Sequence, residues 1–475
     1  GRLASIGVMV ADAQLPPGRA MTLSRSFPFA LLALAAPALA QAPPPQLQED
    51  AATVSRMPGQ DPRLLELGDA LSELEGRSLT LAEARARTEE AAGLVRQALA
   101  AAMPSLIVSG DYARNSDEAQ LAVGPLLKEI NPRLPAPPTV VLQQLKAFSA
   151  TASVRVPVVA PSAWANTAAA RGEERAASAS AEAVRLELRA ALVEAAWVAN
   201  SGEEIVAATG RAVASADEQT RLAERALAGG TGVPLSVLQA RTETVKRRSD
   251  LAGAHADLKR AQLALGVLLG RAEPVRIPLV PPPPPGARDL RSLVDEALRA
   301  RPEVRATRAR VEAARRQHTA AWLHLVPELS VSGSAFTQNV PLPTGKNSGW
   351  RAVADLSWSL YDGGLWWGRA RQAEGATAEA SAAAEAQAIR IEQEVEDAAR
   401  DVSVAVERLQ LAEHQAALAG ETAAIARRGF VAGTSSSLDV LDANDRLYQS
   451  EVGLAQAHAR FGIALAALDH AIGRS

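Results

Sequence analysis

Ala228-Gly-Gly-Thr-Gly-Val-Pro-Leu-Ser-Val-Leu238 and Val431-Ala-Gly-Thr-Ser-Ser-Ser-Leu-Asp-Val-Leu-Asp442 are two copies of one turn, and they decide how the chain is read. They sit inside an ungapped match of Arg221 to Gly270 on Ala424 to Gly473, at a constant offset of 203. Gly230-Thr231 falls on Gly433-Thr434, Leu235 on Leu438, and Ala254-His255-Ala256 on Ala457-His458-Ala459. Upstream, Pro104 to Gly110 matches Pro327 to Gly333, and Val154 to Val158 matches Leu356 to Leu360. A repeated helical hairpin means two copies of one structural unit. Each copy is expected to run helix, strand, strand, long helix, turn, helix.

The strands follow from alternation. In Glu328 to Ala335, Leu329, Val331, Gly333 and Ala335 share one face, opposite Ser330, Ser332 and Ser334. In Arg351 to Leu360, Ala352, Ala354, Leu356, Trp358 and Leu360 alternate with Arg351, Asp355, Ser357 and Ser359. This period of two suits a strand with lipid or core on one side and water on the other. About ten residues is also the length of an outer-membrane strand. Trp350, Trp358, Tyr361, Trp366 and Trp367 fall close together, as an aromatic belt at a membrane interface requires. A soluble hairpin packed on helices would alternate in the same way.

Long helices are the other signature. Trp164 to about Ala228 and Trp366 to about Val431 contain no Pro. Some 64 residues of helix make a rod of roughly 95 Å, longer than a compact core needs. The return helices carry heptad spacing: Leu251, Ala254, Leu258, Ala261, Leu265 and Leu268, then Leu454, Ala457, Phe461, Ala464, Leu468 and Ala471. Steps of three and four sustained in both copies predict coiled-coil packing.

Composition excludes several classes. The 475 residues include no Cys, so there are no disulfides and no thiolate metal sites. Aromatic residues make up only 3% and Ala is abundant, which suits thin, closely packed helix layers. A net charge of −3, without a Lys/Arg block, gives no reason to expect nucleic acid as a partner. The six histidines show no metal-ligand spacing, and His255 and His458 are repeat-related. No Gly-rich phosphate loop, nucleophile elbow or paired catalytic set is present, so neither an enzyme nor a bound cofactor is expected.

The reading divides the chain into five parts. Residues 1–40 are upstream residues and a signal peptide: Met21, Arg25, an apolar run, then Ala38-Leu39-Ala40, with cleavage expected near 40/41. Residues 41–77 are an N-terminal extension, 78–270 the first repeat, 271–288 a linker with five consecutive prolines, and 289–475 the second repeat. No apolar stretch of about 18 residues follows the signal, so a membrane would have to be entered by β-strands. The strand-connecting loops differ, with 44 positions from Gly110 to Val154 but 23 from Gly333 to Leu356. The longer one carries Pro132, Pro135, Pro137 and Pro138 and is expected to be an exposed loop.

Taken together, the paired turns, the junctions at Pro104 and Pro327, and Ser359-Leu-Tyr-Asp-Gly-Gly364 resemble the TolC-like outer membrane efflux proteins over most of the chain after Ser78. The resemblance implies a mainly α fold with a membrane β-barrel. Three identical chains would each give four strands to a twelve-stranded barrel, continued by an α-helical periplasmic tunnel. Such a duct would conduct exported compounds outward, in a tripartite efflux pump or type I secretion system, with a periplasmic adaptor and an inner-membrane pump as partners. The competing class is a periplasmic coiled-coil adaptor or scaffold that never enters the membrane.

The resemblance also assigns residues. Gly230, Thr231, Leu235, Gly433, Thr434 and Leu438 become the tip turns and adaptor contacts. Glycine supplies the positive φ a helix end needs, and Thr231 or Ser435 to Ser437 is expected to cap the next helix. Asp439 and Asp442 would ring the periplasmic aperture three times over, where one sign of charge favours cations. Their counterparts Ser236 and Gln239 are uncharged. Carboxylates in a first helical turn also stabilise the helix dipole. Two departures from the family pattern are expected. The first helix of repeat 1 looks shortened, with 23 residues from Leu81 to Pro104 against 34 from Leu293 to Pro327. At the strand-to-helix corner, repeat 1 has Val159-Ala-Pro-Ser162 in place of Tyr361-Asp-Gly-Gly364.

Overall fold

A computed structural model describes residues 62–121, 140–284, 286, 289–340 and 346–474. The signal peptide, the start of the N-terminal extension and the proline-rich part of the long strand loop lie outside the described residues.

The first repeat contains α1 (Leu67–Arg77), α2 (Leu79–Ala100), β2 (Ser105–Arg114), β5 (Lys146–Val159), α3 (Pro161–Ala228) and α4 (Pro234–Leu268). The second contains α5 (Leu290–Ala300), α6 (Pro302–Leu323), β7 (Glu328–Gln338), β8 (Ser348–Ser357), α7 (Leu365–Ala432) and α8 (Ser437–Ala471). Two small pairings complete the set. β1 (Arg63–Leu64) runs parallel to β6 (Val275–Arg276), and β3 (Ala119–Leu121) pairs with β4 (Val140–Gln143) on the long loop.

α3 and α7 have 68 residues each, about 100 Å of helix, and α4 and α8 have 35 each. Alanine, the best helix former, carries these lengths without a proline interruption. It also keeps the layer thin. Gly172 of α3 lies so close to α6 that a Cβ there would meet the Ala313 Cβ at 2.7 Å.

The strands form one antiparallel sheet in the order β2-β5-β7-β8. Each strand is joined in sequence to a helix, and the helices keep the same lateral order: α2 packs on α3, α3 on α6, and α6 on α7. Further from the sheet α4 replaces α2 and α8 replaces α6, giving α4, α3, α8, α7 across the wall. Hydrogen-bonded strand order thus sets which helices become neighbours. α8 lies between two helices, while α4 packs along α3 and forms an edge.

The core gathers midway along the long helices. Ala70 and Leu74 of α1 meet Leu192 and Ala196 of α3, with Leu265, Leu269 and Ile277. In the second repeat Leu293 and Ala297 of α5 meet Ile391 and Val395 of α7, with Ala471 and Ile472. Each buried Leu or Ile contributes about 1.5–3 kcal/mol, so these two clusters tie the short helices to the rods.

They also correct the expected shortening. α1 and α5 both have 11 residues and α2 and α6 both have 22, so no helix is shortened. Leu293 corresponds to Ala70, not Leu81, and the first repeat takes in α1 from Leu67 rather than starting at Ser78. The corners do differ. β5 passes almost directly into α3, whose first residue is Pro161, a placement that forfeits no hydrogen bond. β8 ends at Ser357, short of the alternation read as far as Leu360, and Gly363 and Gly364 then turn with φ of 73° and 89°.

Candidate functional site

The sheet has two chemically distinct faces. On one, Leu106, Val154, Gly333 and Ala352 form a rung across all four strands, and Val108, Ala152, Ala335 and Trp350 form the next. The opposite face begins with Ser105, Arg155, Ser332 and Val353, then Ile107, Ser153, Ser334 and Arg351. The first face is apolar and the second mostly polar, and Leu106, Val108, Tyr112, Val331, Trp350 and Leu356 are all exposed. Among the described residues, both edges, β2 and β8, are unpaired within the chain. An open apolar sheet with two free edges is not a finished structure in either water or lipid.

The five aromatic residues read as one belt do not form one cluster. Trp350 lies at the far end of β8, opposite Ala335, while Trp358 follows the strand end beside the helices. Eight residues at about 3.3 Å each separate the two by about 26 Å along the strand, or about 20 Å of height at the roughly 35–45° tilt of a membrane barrel, where aromatic girdles flank an apolar band of about 25 Å. Tyr112 and Phe148 face each other across β2 and β5 at Trp350's end. At the helix end, Trp366 contacts Trp367 at 5.6 Å and Trp322 at 5.4 Å. The Trp358 indole donates to the Leu325 carbonyl at 3.1 Å. Tyr361 is exposed in the corner between β8 and α7. Trp322 and Trp164, not counted in the belt by the sequence reading, stand on neighbouring helices that strand order brings together.

The two tips lie side by side: Gln219 of α3 donates to Ser437 of α8 at 3.3 Å. They share one hydrogen-bond pattern. Thr231 N donates to Ala226 O at 3.0 Å and Thr434 N to Gly429 O at 2.8 Å, and each threonine hydroxyl donates to the same carbonyl at 3.2 Å. Gly230 and Gly433 have φ of 79° and 77°, which only glycine adopts without strain. Thr231 therefore closes the preceding helix rather than capping the next one. Its duties at the start of α4 fall to Pro234, whereas Ser436 caps α8 through a capping box with Asp439. Leu235 and Leu438 are both exposed beside these turns.

The acidic pair has local partners. The Asp439 carboxylate accepts from the Ser436 hydroxyl at 2.7 Å and from its backbone N–H at 2.8 Å, and these bonds hold its pKa below the ordinary carboxylate range. Asp442 pairs with Arg446 at 2.9 Å, one turn along α8. Nearby, Arg247 of α4 is buried between Asp445 of α8, Glu243 at 2.7 Å and the Tyr448 ring at 4.4 Å. Burial opposes its charge, but the bond to Asp445 and the Glu243 charge outweigh it and raise its pKa.

Two further ion pairs are repeats of each other. Arg271 pairs with Glu73, and Arg474 with Glu296 at 2.6 Å, each tying the end of a return helix to the short helix opening its own repeat. The histidines play separate parts: His458 contacts Glu204 at 3.0 Å, and His318 accepts from the Trp322 indole at 3.1 Å. Among the described residues no group of acidic and histidine side chains is arranged to hold a metal, and no helix is long and apolar enough to cross a membrane.

Comparison with known proteins follows this geometry. The sequence profile described as outer membrane efflux protein matches residues 70–271 and 293–474. The fold is similar to that of VceC, an outer membrane protein of Vibrio cholerae, at 22% identity with a TM-score of 0.70, covering 86% of this chain and 96% of that one. The open-state outer membrane channel MtrE of Neisseria gonorrhoeae aligns at 18% identity and 0.71, over 86% and 89%. The outer membrane channel CmeC of Campylobacter jejuni aligns at 16% and 0.68, over 86% and 85%. No curated protein matches the sequence.

Proposed function

The chain belongs to the outer membrane efflux protein family, and from that membership we propose that three copies form one passive export duct. Four strands from each copy close a twelve-stranded barrel in the outer membrane of a Gram-negative bacterium. The helical walls continue it as a periplasmic tunnel. The duct belongs to a tripartite efflux pump or a type I secretion system. A periplasmic adaptor docks at the tips around Gly230, Thr231, Leu235, Gly433, Thr434 and Leu438, and an inner-membrane pump supplies the cargo.

One observation carries this reading: the two-faced, four-stranded sheet with free edges at β2 and β8. Joining β8 of one copy to β2 of the next removes every edge and turns the apolar face to lipid. The helical edges support the same closure. Val404, Leu411, Leu418 and Ile425 on α7, and Leu238, Val245 and Ala252 on α4, stand exposed at seven-residue steps on opposite edges of the wall. Such stripes are seams awaiting a neighbouring helix.

The test is electron microscopy of the detergent-extracted particle. The expected result is a threefold hollow cylinder with a helical section of about 100 Å. A chain released without detergent as a slender monomer or dimer would instead favour the periplasmic scaffold.

A further inference from the structure

Trp164 and Arg171 on α3, Arg308, Arg315 and Trp322 on α6, and Trp367 and Arg371 on α7 lie on matching stripes of three helices packed in the order α3, α6, α7. Residues seven apart share a helix face, so each helix presents an exposed tryptophan at its sheet end. The next arginine on the same stripe stands four to seven residues from the tryptophan, about 6–11 Å along the helix. Arg175 extends the α3 stripe. Asn166 and Gln317 lie on the opposite side. With His324 and Gln372 they line a cavity that meets a second one bordered by Arg155, Glu328 and Asp355 on the polar face of the sheet. The tryptophan and arginine stripes therefore continue the apolar face.

Arg171, Arg308 and Arg315 are exposed and, among the described residues, have no carboxylate within ion-pair distance. Two neighbouring arginines are paired: Arg175 with Glu312 at 3.1 Å and Arg371 with Glu374 at 2.9 Å. Arg171 and Arg315, each seven residues or about 10 Å beyond its tryptophan, reach the level of phosphates in a bilayer leaflet, whereas Arg308 stands about 21 Å from Trp322 and lies further from the sheet. The guanidinium fork binds phosphate oxygens in pairs. We infer that this band is a binding site for anionic phospholipid headgroups, held by Arg171 and Arg315. The inference rests on the membrane-inserted reading above. It adds that the periplasmic leaflet around the duct is enriched in anionic lipid, which fixes how deep the barrel sits.

Trp164, Trp322 and Trp367, three of the chain's seven tryptophans, stand at the sheet end of the band and report on it. The full chain is inserted into vesicles of phosphatidylcholine containing either brominated phosphatidylglycerol or brominated phosphatidylcholine, and quenching of tryptophan fluorescence is compared. The wild-type chain is expected to be quenched preferentially by phosphatidylglycerol. The variant Arg171→Gln/Arg315→Gln should lower that preference about tenfold or more, since each arginine near an anionic surface is worth about fivefold. Lysine at the same two positions should retain part of it. Equal quenching by both lipids in the wild type, or an unchanged preference in the glutamine variant, would overturn the inference while leaving membrane insertion intact. Loss of the preference on adding inorganic phosphate would overturn the headgroup as ligand in favour of a general anion site. Absence of quenching by either lipid would overturn the inserted duct itself, and the inference with it.

Discussion

The midpoints of the two repeats are built from the same pieces, and the helix starts after their tips and their corners are not. At each midpoint a return helix ends at a positive-φ glycine, Gly270 or Gly473, followed by an arginine bound to a glutamate of the repeat's first short helix. At the tips, by contrast, Ser436 and Asp439 cap α8 while Pro234 alone opens α4. The corners divide in the same way, with Pro161 in one repeat and Gly363-Gly364 in the other. Joints that hold the rods together tolerate little change, because both repeats must fit the same spacing. Where the chain meets solvent, lipid or a partner, the copies are free to specialise.

Position in the wall has also divided the return helices, and the largest predicted effect lies there. Gly462 of α8 lies against the Trp197 ring, where a Cβ would come within 2.1 Å of the indole Cε2. Its repeat counterpart on the edge helix α4 is Lys259, which is exposed. Gly462→Ala is expected to cost about 3 kcal/mol through overpacking, whereas Lys259→Ala stays near neutral. Denaturant unfolding checks both. Equal effects would mean that the two return helices are packed alike.

A smaller difference separates the two latches. The Glu73 and Arg271 side chains are each 14% exposed, while Arg474 and Glu296 are 45% and 35% exposed. Glu73→Gln should therefore destabilise by about 1–2 kcal/mol, and Glu296→Gln by less. Hydrogen bonding to Arg271 holds the Glu73 pKa below its ordinary 4.5. A depressed acid contributes its stability above the unfolded pKa and loses it as pH falls through the folded one. The wild-type chain should thus lose the latch below about pH 4.5, and the Glu73→Gln variant should show a flatter acid limb. Identical acid limbs would remove the latch from the account.

The tip acids should show the smallest effect on stability and a clear one on conduction. Asp439→Asn with Asp442→Asn is expected to reduce cation preference in single-channel recordings, and Ser236→Ala with Gln239→Ala to leave it unchanged. Unaltered selectivity in the asparagine variant would leave Asp439 with its capping role alone.

Much of this architecture was legible in the sequence, because helices and strands carry periodic signals and the tip turns carry glycine. The ungapped offset of 203 at the turns is matched bond for bond, from Thr231 and Ala226 to Thr434 and Gly429. The front of the repeat was misread because the longer strand loop breaks that offset, and because Ala70, a buried alanine in an alanine-rich chain, leaves no periodic mark of its own. The aromatic belt was misread for a geometric reason: residues close in sequence separate quickly along a strand, so Trp350 and Trp358 end up at opposite ends. The latches were invisible, since Glu73 and Arg271 lie 198 residues apart and meet only through packing. The two-faced sheet was half visible. Alternation showed in β7 and β8, but the rungs that unite four strands need the register.

The central claim is that β8 of one copy pairs with β2 of the next. The chain contains no cysteine, so introduced cysteines report without background. Within one copy two strands intervene between β2 and β8, putting them about 14 Å apart, beyond the reach of a disulfide. Double variants combining Leu106→Cys or Val108→Cys with Ala352→Cys or Ala354→Cys would be oxidised in intact membranes and run on denaturing gels. The account predicts that at least one combination yields covalent dimers and trimers and no larger species. Monomers throughout, in every combination, would contradict it.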